Sequence, residues 1–94
     1  MTDRQLIIWA EGRELARQVG TELDLIDPHA DLFAHLSPAE RVNPAFMEGF
    51  GYGLGSQGLT ESNLNGHKVL PEFVTGIRNA ETERDIMVVE MAPE

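Results

Sequence analysis

Residues 37–58 read SPAERVNPAFMEGFGYGLGSQG, and how this stretch folds decides how the rest of the chain packs. Ser37-Pro38-Ala39-Glu40 is a capping box with Pro at the first helical position. The Ser hydroxyl and the Glu carboxylate each satisfy a backbone amide that a helix start leaves unpaired. Asn43-Pro44 repeats the device. Pro pushes the residue before it out of helical geometry, so both pairs mark boundaries. Beyond Pro44, Phe46, Phe50 and Leu54 recur every fourth residue, as on one face of a helix. Gly49 and Gly53, and Gly51 and Gly55, share that spacing and leave shallow grooves where another backbone can come close. Each interior Gly costs about 1 kcal/mol of helix propensity relative to Ala, so such a helix stands only if packing offsets the loss. A strand with Phe50, Tyr52 and Leu54 on one face and bare Gly on the other competes with it, as does an irregular loop. The helix is the leading expectation.

Outward from this stretch, the signals alternate between short helices and terminal strands. Arg4 to Ala10, RQLIIWA, holds five consecutive apolar residues and reads first as a buried strand and second as a helix continuing through Gly12. Leu15, Val19 and Leu23 then recur at helical spacing, with Glu11, Arg13, Glu14 and Arg17 on the wet side. Asp27-Pro28 reads as a third cap-then-Pro start, with Ala30, Phe33 and Ala34 on its apolar side. Ser56 to His67 is turn-rich; Thr60 can cap a short helix, and Asn65-Gly66 is a turn signal. Leu70-Pro71-Glu72 opens another helix with Phe73, Val74 and Ile77 inward and Gly76 as a weak point. Asn79 to Arg84 reads as a charged connector, and Ile86 to Val89, β-branched and stopped by Pro93, as a closing strand. The expectation is a single α+β domain over residues 1–94, with the terminal strands paired and the helices on one face. A two-stranded sheet with an open edge gains from a partner strand, which implies a homodimer.

Composition bounds the function. The chain has 94 residues, 41% of them apolar, which suits a globular fold with a modest core. It has no cysteine, which excludes disulfides and thiolate metal sites and suits a cytoplasmic setting. The short apolar run near Leu6 is neither a signal-peptide core nor a membrane span. Sixteen acidic residues against seven basic ones give a net charge of −9. Such a chain repels phosphate backbones and anionic membranes, so neither nucleic acid nor membrane is an expected direct partner.

No pattern that carries chemistry is complete. Gly53-x-Gly55-x-x-Gly58 matches a dinucleotide fingerprint only as letters, since the strand and helix that must flank it are not indicated. Asp31 and His35 share a face if they lie on one helix; they read first as a solvated pair, and otherwise as part of a metal site or a local ion pair. Ser37, Ser56 and Ser62 lie in no nucleophile elbow. Glu48 stands among apolar neighbours, where a carboxylate can act as acid or base, but reads first as a solvent-facing residue on the back of the helix. No enzymatic activity, metal or cofactor is expected.

The distribution of charge is more specific. Between Arg17 and Arg41 there is no Lys or Arg, while Glu22, Asp24, Asp27, Asp31 and Glu40 fall inside. Glu81, Glu83, Asp85, Glu90 and Glu94 against Arg84 make the tail acidic too. Spaced carboxylates imitate a phosphate row and fit a Lys/Arg-lined groove. The sequence thus points to a small acidic binding protein, an inhibitor of a basic, nucleic-acid-handling partner of the sort carried by viruses or mobile elements. Its expected contacts are Glu22, Asp24, Asp27, Asp31 and Glu40, with Phe50 and Tyr52 as aromatic anchors. The alternative is a small-molecule or regulatory module whose pocket is the Gly-rich stretch 49–58.

Overall fold

The computed structural model describes residues 2–25, 27, 30–64 and 68–91, with side chains as far as Glu83. Helix α1 spans Asp3–Val19, α2 Pro38–Arg41, α3 Pro44–Ser56 and α4 Pro71–Met91. Short 3-10 turns cover Gly20–Glu22 and Glu61–Leu64. No strand occurs among the described residues, so the expected α+β architecture is replaced by an all-helical one.

Both strand expectations fail for local reasons. The run Leu6–Ala10 lies inside α1, which begins with a capping box: Thr2 Oγ1 accepts from the Gln5 amide and Gln5 Oε1 from the Thr2 amide. Its apolar residues are not buried on two faces, as a central strand would be. Leu6 is 51% and Ile7 62% exposed. At the other end, α4 starts at Pro71 and meets no proline before Pro93. Once a helix is nucleated, each further residue adds a hydrogen bond, and the weak preference of Val and Ile for strands does not stop it. Residues 79–84 are therefore helical rather than a connector, and the backbone of 86–89 continues the helix. Residues 92–94, and with them Pro93, lie outside the described residues. With the sheet gone, the edge that motivated a homodimer goes too.

The helix at Asp27-Pro28 is also absent where it can be seen; Pro28 and His29 lie outside the described residues. Ala30, Ala34 and Leu36 donate to the carbonyls of Asp27, Asp31 and Phe33, each three residues back, which is turn geometry. Side chains hold the backbone in this form. The Asp31 carboxylate accepts the Phe33 amide at 3.1 Å, and Arg41 donates to the carbonyls of Phe33 at 2.8 Å and Leu36 at 3.3 Å. Such side-chain partners offer the backbone an alternative to the helix ladder.

The glycine helix forms as the leading reading expects. Asn43 caps it, and Phe46, Phe50 and Leu54 are all buried. Residues two apart on a helix point about 200° apart. Gly49 and Gly53 therefore face one way and Gly51 and Gly55 the other, and a helix packs on each side. A Cβ on Gly49 would strike the Trp9 carbonyl oxygen, and one on Gly12 the Phe46 carbonyl oxygen. On the opposite side, a Cβ on Gly51 would strike the Phe73 carbonyl and one on Gly76 the Glu48 carbonyl. In both interfaces each glycine thus meets the carbonyl one turn before its counterpart. This reciprocal close approach is the geometry of Cα–H···O contacts, worth about 0.5–1 kcal/mol each. All four interface stripes carry a small residue four positions on: Gly12/Ala16, Gly49/Gly53, Gly51/Gly55 and Gly76/Ala80. Gly76 is thus a packing site rather than a weak point.

These contacts advance together along the helices. Gly12 meets Phe46 and Phe50, Gly53 meets Arg13 and Ala16, and Gly20 meets Gln57. Gly51 meets Phe73, and Gly55 meets Ile77 and Ala80. Helices α1, α3 and α4 therefore run parallel, with α3 in the middle. Parallel neighbours cannot be joined by tight loops, which is why long connections follow α1 and α3. Helix α3 ends in a Schellman motif: Gly58 at φ 113° lets the Leu59 amide reach Leu54 O at 3.1 Å and its own amide reach Gly55 O at 3.1 Å. Leu59 and Leu54 are both fully buried there. The connection before α2 covers the exposed core face of α3 with Leu32, Phe33 and Leu36.

Candidate functional site

The acidic stretch found in the sequence is this same connection. Leu32 and Leu36 are buried beneath it. The Phe33 ring meets Phe73 edge-on at 5.1 Å and Phe50 at 6.3 Å. Arg41 ties down its carbonyls from the far end. On this anchored segment Glu22, Asp24, Asp27 and Asp31 are all exposed. Glu22 lies 3.7 Å from His35 Nε2, so protonation of that imidazole would pair them. Asp31 turns to the Phe33 amide, and residues 32–35 are turn rather than helix, so Asp31 and His35 share no helix face and both stay exposed. Glu40 is half-buried, and its carboxylate accepts the Ser37 amide at 2.8 Å in the capping box. The structure thus leaves four of the five carboxylates exposed between Glu22 and Asp31 and commits the fifth to a helix start.

The aromatic part of the expected site separates. Phe50 is wholly buried, among Phe33, Phe73 and Leu54, and no surface role is open to it. Tyr52, two residues on, points to the far side of α3 from the connection. It is half-buried against Trp9 at 5.1 Å, with the Arg13 guanidinium 5.6 Å above the Trp9 ring. Tyr52 and the acidic segment do not form one surface. The glycines of 49–55 face backbones of α1 and α4, so the Gly-rich stretch is not a pocket, and its fingerprint pattern forms no phosphate cradle.

Chemistry elsewhere is sparse. Among the described residues there is no group of three or more potential metal ligands, and no buried polar or charged side chain. Among the described residues, no helix is long and apolar enough to cross a membrane. Glu61 receives two bonds from Arg78, at 2.6 and 2.9 Å, across the gap between its 3-10 turn and α4. These bonds hold the Glu61 carboxyl below its usual range and raise Arg78. Glu48 lies half-buried on the outer stripe of α3, in a shallow groove with Gln5, Pro44 and Ala45.

One feature escaped the sequence reading. A groove of about 380 Å³ opens between the acidic connection, α2, α3 and the start of α4, lined by Phe33, Arg41, Met47, Lys68, Val69 and Leu70. Its only sequence signal is that Arg41 and Lys68 each adjoin an apolar residue in a chain poor in bases. No known protein family matches the chain, and neither does any curated protein or solved structure.

Proposed function

We propose that the chain is a small, non-enzymatic binding protein that docks its acidic connection on a basic surface of a nucleic-acid-handling protein, where the carboxylates take the place of phosphates. The observation that carries this reading is the display of Glu22, Asp24, Asp27 and Asp31 on a segment anchored by Leu32, Phe33 and Leu36, with no Lys or Arg between Arg17 and Arg41. Anchoring lowers the ordering cost of association, and a one-signed surface steers a cationic partner. The net charge of −9 argues against nucleic acid as the direct target.

The test uses the native chain and the triple variant Asp24→Asn, Asp27→Asn, Asp31→Asn as paired baits in an extract of the source cell. Asn keeps an acceptor oxygen at each position and removes only the charge. A partner held by the native bait is then purified and titrated against both. The account expects a basic protein whose Kd rises at least about tenfold with the variant, roughly 1.4 kcal/mol, and rises with salt. Equal affinity for both baits, unmoved by salt, contradicts it.

A further inference from the structure

The groove beside α2 combines an apolar floor with a cationic rim. Met47 is buried at its base, and Phe33, Val69 and Leu70 are half-buried along its walls. Arg41 and Lys68 contribute two of the chain's seven basic side chains, and among the described residues no acidic side chain lines the groove. This reverses the character of the rest of the surface.

Three of the other bases have side-chain partners of a kind that these two lack. Arg17 pairs with Glu14, Arg78 pairs with Glu61, and Arg13 lies over Trp9. Among the described residues, Arg41 bonds only to the neutral carbonyls of Phe33 and Leu36. These fix the guanidinium at the rim without neutralising it. A guanidinium has five N–H donors, so two bonds leave three for a ligand. Lys68 forms no ion pair with a described carboxylate and is exposed.

From this geometry we infer that the groove binds a free amphipathic carboxylate, an apolar chain or ring bearing one anionic head. The tail lies over Met47, Leu70 and Phe33, and the head meets Arg41 and Lys68. The volume falls within the range of small-ligand pockets, which are mostly apolar with a few convergent polar groups. A singly charged head suits two cations approaching from different segments. This site is independent of the acidic surface, and either can fail without the other.

The experiment titrates octanoate, octan-1-ol and octylammonium into the full chain and follows backbone amide and Met methyl shifts by NMR. Octanoate is expected to give saturable shifts at Met47, Lys68, Val69 and Leu70. Octan-1-ol should bind at least about fivefold more weakly and octylammonium not measurably, because a charge-assisted contact is lost or reversed. Lys68→Gln and Lys68→Glu lie on an exposed side chain and should leave the fold intact. They are expected to weaken octanoate by about fivefold and more than tenfold respectively. Equal binding of the three probes overturns the proposal, as does the absence of saturable shifts at the groove. So does unchanged octanoate binding by both Lys68 variants. Far tighter binding of an apolar peptide ending in a free carboxylate also overturns it, because the occupant is then a macromolecule.

Discussion

Replacing Gly49 by Ala separates two opposed predictions. In an isolated helix the change is favourable by about 1 kcal/mol, because Ala is the better helix former. Here the new methyl falls on the Trp9 carbonyl, 2.7 Å from its carbon and 3.1 Å from the Trp9 Cα, all of it backbone that no rotamer change can move aside. Helix α1 must retreat by ~1 Å, and a gap of that size forfeits a quarter to a half of each dispersion contact across the interface. Overpacking of this kind costs about 1–3 kcal/mol. Losing the reciprocal Cα–H···O contacts of Gly12 and Gly49 adds about 1–2 kcal/mol. After the propensity gain, a net loss of about 1–4 kcal/mol is expected. Urea denaturation followed by circular dichroism reads it as a lower midpoint, with Ser56→Ala on the exposed side of α3 as control. A Gly49→Ala variant as stable as the native chain, or more so, refutes the backbone contact.

Gly53→Val places a branched side chain against Ala16 Cβ and the Arg13 carbonyl, 2.5 and 2.8 Å from its Cβ, and should cost more than about 2 kcal/mol in the same assay. Gln57→Ala removes the amide that bonds Ala16 O at 2.8 Å and Gly53 O at 3.2 Å, tying the ends of α1 and α3; a loss of about 1–2 kcal/mol is expected, with earlier amide exchange at the end of α1. Glu61, held below its usual range by Arg78, contributes stability that is present above its unfolded pKa and lost as pH falls through its folded pKa. Glu61→Gln should therefore lower the urea midpoint at neutral pH and leave it unchanged at acid pH below the carboxylate range; an equal deficit at both removes the ion pair as the cause. The pair is exposed, so the neutral-pH effect is small.

The sequence exposed some features because the signal and its cause are local. The caps at Ser37 and Asn43, the apolar stripe of α3 and the paired glycines all depend on neighbours within a turn or two. The terminal strands misread because an apolar run of five residues has no period long enough to tell strand from helix. Thr2 and Gln5, which resolve that ambiguity, stand before the run. Gly12/Ala16 and Gly76/Ala80 were visible as letters, but their meaning lies in the partner helix. The charge gap between Arg17 and Arg41 was legible as composition. Its display was not, because Leu32, Phe33 and Arg41 anchor it through residues distant in the chain. Phe50 misled for the same reason: an aromatic beside glycines reads as exposed until both flanks are covered. The groove at Arg41 and Lys68 joins segments that no periodicity connects.

The acidic display, the buried glycines and the groove all follow from three helices running in one direction with α3 in the middle. The most direct measurement is the pattern of nuclear Overhauser contacts between glycine α-protons and facing backbone. Contacts pairing Gly12 with Phe46 and Gly49, Gly53 with Arg13 and Ala16, and Gly51 with Phe73 and Gly76 are expected, advancing together along the chain. Contacts that run in the opposite sense, or a glycine segment with none, contradict the account.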